Sequence, residues 1–151
     1  MEKSPLFKLD LRAPIFYTKT AHENFTEGHF EEILLCYSVN PAQSSNIEPD
    51  REYFLENLVF AGEKTSDGGT EEETQEGKDG QKASREVILP QGHYLFVQNR
   101  RHLNREEWLD LAIEQQKDGL WERNKLENLL YVRYLYEDGA YVTQIFRPLA
   151  G

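Results

Sequence analysis

The chain has 151 residues, 38% hydrophobic and 29% charged, with a formal net charge of −10. That length suits one domain, or two small repeated modules around a single core. The negative balance repels phosphate backbones, and no basic cluster exceeds Arg100-Arg101, so direct nucleic-acid binding is not expected.

Leu6 to Tyr17 reads as a strand with a kink at Pro14. Thr26 to Val39 carries Phe30, Ile33, Leu34 and Tyr37 at helical spacing. A helix is expected there, although its ILLCYSV run would also serve as a strand. Asn40-Pro41 stops this element, residues 42–50 are loop-like, and Tyr53 to Ala61 (YFLENLVFA) is a strand. Residues 62–86 then break the composition, holding no aromatic residue and no Leu or Ile. Such a stretch buries too little apolar surface to offset its chain entropy, and it reads as a solvated acidic linker. It divides the chain into a first module, 1–61, and a second, 87–151.

The second module is the more legible. Val87 to Gln98 is a strand entered through Pro90-Gln91-Gly92. Asn104 and Glu107 stand at the spacing of a capping box. Behind them Trp108, Leu111, Ala112 and Gln115 recur at helical spacing, with Leu109 and Ile113 widening the stripe. Gly119 is placed to end this helix, and Trp108 belongs to the core. In LLYVRYLYEDGAYVTQIFRPL, residues 129–149, Asp138-Gly139 marks a two-residue hairpin turn. The turn sets a register in which Tyr136 faces Tyr141, Tyr134 faces Thr143, Val132 faces Ile145 and Tyr131 faces Phe146. Both faces of that hairpin are largely apolar, so both must be covered. The helix covers one; the other awaits a second module, a partner or a ligand. The order strand, helix, strand, strand can thus be read in both modules.

This pattern resembles the GyrI-like (gyrase-inhibitor-like) effector-binding domain, which occurs alone and in multidrug-sensing transcription regulators. The strand Leu89-Pro90-Gln91-Gly92-His93-Tyr94-Leu95-Phe96-Val97 and the final Ile145-Phe146-Arg147-Pro148-Leu149 carry the likeness, with Arg147 in place of an apolar residue. The Pro-Asp-Arg to Ala-Gly stretch of 49–62 is more loosely similar. The resemblance implies an α+β fold: an antiparallel sheet from two pseudo-symmetric β-α-β-β modules, with helices on one face and a central cleft. Family members that bind cationic drugs place a buried glutamate beside the aromatic of the last strand. Here that aromatic is Phe146, and its hairpin neighbours, Tyr131 and Arg133, are not acids. Arg133 would instead suit an anionic or polar ligand. No helix-turn-helix is read ahead of residue 6.

No catalytic signature is present. His22, His29, His93 and His102 form no metal-binding spacing, and there is no nucleophile elbow, P-loop or dinucleotide-binding glycine set. Cys36, the single cysteine, allows neither an internal disulfide nor a cysteine-rich metal site and reads as a small core residue. No run approaches the ~20 apolar residues of a membrane span, and the N-terminus lacks the apolar core of a signal peptide. The expectation is a cytoplasmic, stand-alone effector-binding domain with no catalytic residue, metal or cofactor. Tyr94, Phe96, Tyr131, Arg133 and Phe146 would line its cleft and take a small hydrophobic or aromatic ligand. A protein-interaction or inhibitory module is the alternative, and a small-molecule hydrolase the third reading. In the strand from 89 to 100, alternation puts Tyr94 and Phe96 on the cleft side and Leu95 and Val97 beneath the helix.

Overall fold

A computed structural model describes residues 7–19, 32–64 and 86–150. Within them lie β1 (Phe7–Leu11), β2 (Ile15–Lys19), β3 (Glu32–Val39), β4 (Leu55–Lys64), β5 (Glu86–Leu89), β6 (Gly92–Asn99), α1 (Arg105–Trp121), β7 (Leu129–Glu137) and β8 (Ala140–Pro148), with a 3-10 turn at Arg51–Tyr53. The class is α+β. All strand pairs are antiparallel, in the order β1-β6-β8-β7-β3-β4-β2-β5.

Two prolines shape that order. Proline has no amide to give to a ladder, so the strands it interrupts break or bend there. Arg12, Ala13 and Pro14 separate β1 from β2, and Pro90 and Gln91 separate β5 from β6. The two bent segments pair with each other in both halves, from Phe7↔Phe96 to Leu11↔Gly92 and again from Ile15↔Leu89 to Thr18↔Glu86. β1 and β2 nevertheless stand near opposite ends of the strand order. The sheet therefore curls, with a concave and a convex face.

Residues 32–39 are a strand and not the C-terminal half of a helix; residues 26–31 of that expected helix lie outside the described residues. β3 is central, paired with β4 on one side and β7 on the other. Ile33 and Leu35 pack on the convex side, Leu34 and Cys36 on the concave side. A strand covered on both faces reads as an unbroken apolar run, whose spacing cannot be told from that of a buried helix. The linker limits also shift. Gly62–Lys64 complete β4, Glu86 opens β5, and 65–85 lie outside the described residues.

α1 lies on the convex face. Its capping box is formed: the Glu107 amide donates to Asn104 Oδ1 at 2.9 Å and the Asn104 amide to Glu107 Oε1 at 3.0 Å. The hydrogen bond from Asn104 holds the Glu107 carboxyl below its ordinary range, with Arg101 adding to the effect. Trp108, Leu109 and Ala112 pack onto Val97, Val132 and Ile145. Gln115 Nε2 donates to the carbonyls of Leu95 and Ile145, at 3.1 and 3.2 Å, tying the helix to two strands at once. Gly119 does not end the helix, which continues to Trp121. Gly119 lets helix and sheet approach, since a Cβ there would fall 2.4 Å from Leu95 Cδ1.

Arg147, the departure from an apolar pattern, is fully buried beneath α1. Its Nη1 donates to Gln116 Oε1 at 2.7 Å and its Nε to the Glu127 carbonyl at 2.9 Å, while Nη2 has no hydrogen-bond partner among the described residues. The guanidinium stands 5.9 Å from the Phe54 ring centroid. Burial pushes its pKa down to about 10. Gln116, also buried, donates to the carbonyls of Gln43 and Asn46 and so fastens the 40–46 loop to the helix.

The β7–β8 hairpin has the expected register at all four pairs. Asp138 and Gly139 have φ of 55° and 81°, the doubly positive signature of a type I′ turn. Gly139→Val forces a branched side chain into that conformation and should lower stability by roughly 1–2 kcal/mol, read from the urea midpoint. An unchanged midpoint would mean that the turn relaxes without strain.

Candidate site on the concave face

The registers stack side chains into rows across the concave face. One row runs Phe7, Phe96, Phe146, Tyr131, Cys36, Phe60, each opposite the next on the neighbouring strand. The next runs Gln98, Gln144, Arg133, Leu34, Gly62, Lys19. Two residues along a strand separate the rows, about 7 Å.

The first row, with Tyr94, makes an aromatic floor. Tyr94 meets Phe146 edge-on at 5.6 Å and Tyr131 at 6.2 Å, Phe96 tilts onto Phe146 at 5.1 Å, and Phe60 reaches Tyr131 at 6.3 Å. These are the offset and edge geometries that ring quadrupoles favour. Tyr94, Tyr131 and Phe146 are buried; Phe96 is partly open. Burial pushes the Tyr94 phenol and the Cys36 thiol each up to about 12, and Tyr131 is raised by the same cause. These groups stay neutral at physiological pH, as a dry floor requires.

The second row carries polar groups that continue onto β3 and β2. Glu32 Oε2 accepts from the Tyr17 hydroxyl at 2.6 Å and from Arg133 Nε at 2.9 Å, and Arg133 Nη2 stands 2.8 Å from it in the ion pair. Arg133 Nη1 donates to Gln144 Oε1 at 3.1 Å, and Gln144 Nε2 to Gln98 Oε1 at 2.9 Å. The ion pair keeps some contact with solvent, at 18% and 17% side-chain exposure. Burial works against the Arg133 charge, but Tyr17 and Glu32 outweigh it and its pKa rises. Burial lifts the Tyr17 phenol far above its ordinary range, Arg133 opposing and Glu32 adding to the rise, so the hydroxyl remains a donor.

All five residues expected to line the cleft lie on this face, and Leu95 and Val97 lie on the other, beneath α1. Within the five there is a division. Tyr94, Tyr131 and Phe146 are packed among themselves as floor, while Phe96 and Arg133 are only partly buried. Arg133, expected to suit an anionic or polar ligand, has its charge met by Glu32. Sequence reasoning missed Glu32 along with Tyr17, Gln98 and Gln144. Glu32 opens a segment read as helix, and nothing local ties it to a residue on β7; reading EILLCYSV as a strand would have put Glu32 and Leu34 on one face.

The chain matches no protein-family model, and no curated protein resembles it at a significant level. Among the described residues, no group of three or more His, Cys, Asp and Glu could hold a metal ion, and no helix is long and apolar enough to cross a membrane. His93 is exposed beside Asp10, at 3.4 Å.

Proposed function

We propose that this chain is a ligand-binding domain of the GyrI-like effector-binding type, taking a small aromatic molecule at the mouth of its concave face. The observation that carries the reading is the pairing of an apolar aromatic floor with a charge-neutralised polar rim that still meets solvent. Ligand sites combine just these parts: mostly apolar walls and a few placed polar groups.

Strand connectivity supports the family assignment. The β1–β2 segment pairs with β4, and β4 with β3. The β5–β6 segment pairs with β8, and β8 with β7. Each set thus has its first strand beside its third and its third beside its second. The sets join first strand to first strand and second to second, through β1·β6, β2·β5 and β3·β7. A duplicated module with a pseudo-twofold axis has this pattern. Regulation of transcription by the bound effector, through a DNA-binding partner chain, is the role this reading implies.

A thermal-shift screen of aromatic metabolites and dyes tests it. A ligand at ~100 times its dissociation constant adds ~2.7 kcal/mol of stability. Phe96→Ala is expected to weaken each hit with a small change in the unliganded melting temperature, whereas Leu95→Ala lowers that temperature and spares affinity. Hits indifferent to Phe96→Ala would place binding elsewhere.

A further inference from the structure

β1 is an outer strand of the sheet, and among the described residues it pairs with β6 alone. Phe7, Leu9 and Leu11 belong to the concave face, Lys8 and Asp10 to the convex face. Phe7 ends the aromatic row and is 55% exposed. An open strand edge carrying an uncovered ring is a template for another strand. Asp10 meets His93 Nδ1 at 3.4 Å and Arg12 Nε at 4.0 Å in its own chain, and it still faces solvent. β5 is the other outer strand, and Glu86 is its only charged residue.

We infer that β1 pairs with β1 of a second copy of this chain, antiparallel, about a twofold axis through Leu9. An axis normal to the sheet keeps concave side with concave side, so only residues of one face meet across it. Centred on Lys8, the join sets that lysine against itself; centred on Asp10, it sets that aspartate against itself. Like charges directly opposite destabilise a strand pair, and opposite charges support it. Centred on Leu9, Lys8 of each copy stands opposite Asp10 of the other, and Phe7 of each meets Leu11 of the other. This register also uses all five residues of the strand. Leu11 lies opposite Gly92, where a Cβ would meet nothing within 4 Å, which leaves room beside Leu11 for the incoming Phe7 ring. The charges therefore select one register, and the symmetry makes each ion pair occur twice. β5 offers no such match, since Glu86 has no basic residue on its strand to face. Five residues from each copy make a small interface, so the association is weak and reversible.

Sedimentation velocity of the full chain tests this. The net charge of −10 on each copy opposes association at long range, so the salt is set to ~0.15 M, where charges more than ~8 Å apart are screened. Between about 10 µM and about 1 mM, the range of a small interface, a monomer–dimer equilibrium is expected. Asp10→Lys sets lysines opposite each other across the axis, and Lys8→Asp sets aspartates there. Each is expected to weaken the dimer at least about tenfold, about 1.4 kcal/mol. Mixed in equal amounts, the two variants regain opposite charges at every facing position, and a heterodimer about as tight as the parent dimer is expected. A parent that stays monomeric over the whole range overturns the inference. So does a dimer indifferent to both substitutions, or a mixture that stays monomeric. Should either single variant fail to fold, the double exchange Lys8→Asp/Asp10→Lys decides: it restores the pairing within one chain and should dimerise as the parent does, and its failure to do so overturns the inference.

Discussion

Trp108→Ala is expected to lower folding stability by about 3–5 kcal/mol, the range for deleting a fully buried large aromatic. Trp108 is 1% exposed and sits in the first turn of α1, with its ring 5.3 Å from that of Tyr37 on β3. It joins the helix to the central strand, so the loss includes a cavity that neither element can close alone. The capping box fixes the backbone on one side of this turn and the sheet lies on the other, leaving little room for collapse. Urea unfolding should be followed by far-ultraviolet circular dichroism, because the second tryptophan, Trp121, is 77% exposed and reports little of the core. A loss below about 1 kcal/mol would contradict the packing, since removal of a ring this buried cannot be that mild.

Arg147 should separate two effects that usually travel together. Arg147→Ala leaves the buried Gln116 Oε1 without its donor, which alone costs about 1–3 kcal/mol, and opens a void beneath α1. A total of about 3 kcal/mol or more is expected. Arg147→Met loses the same hydrogen bonds and the same charge, which has no carboxylate partner among the described residues, but it fills the space. It should therefore be less destabilised than Arg147→Ala by the cavity's share, about 2 kcal/mol. Equal losses in the two would show that the hydrogen bonds, not the volume, are what matter. Alkaline pH adds a second reading. The guanidinium pKa is depressed in the fold to about 10 from a reference of 12.5. The unfolded chain therefore binds the proton more tightly. The penalty for the buried charge is full below about 10 and is relieved as pH rises above it. The parent should thus gain stability relative to Arg147→Met between about pH 9 and 11, measured by isothermal denaturation.

Where chemistry is local, the sequence carried the fold. Asp138-Gly139 set the hairpin register, and Asn104 with Glu107 set the start of α1, because each signal lies within four residues of what it determines. Tyr94 and Phe96 could be assigned a face because Leu95 and Val97 made the other face recognisable. The failures share a cause as well. β3 has no polar face, so periodicity could not distinguish strand from helix. Gly119 carries both a backbone that tolerates a helix end and a missing side chain that permits close packing, and only the neighbouring Leu95 reveals which is used. Glu32 and Arg133 are 101 positions apart, and no motif announces a pair formed by strand registry alone.

The two bent segments also bear on how the chain is made. Phe7 precedes Phe96, the residue opposite it in the sheet, by 89 positions. β1 must therefore wait, its backbone groups unpaired, until β6 has been synthesised. Pairings of such long sequence separation form slowly, after their loop-closure entropy has been met. An apolar strand edge held open for that interval is where a nascent chain is most exposed to the wrong partner. Lys8 and Asp10 alternate with Phe7, Leu9 and Leu11 on β1, and charges on a waiting edge oppose its burial against an apolar strand.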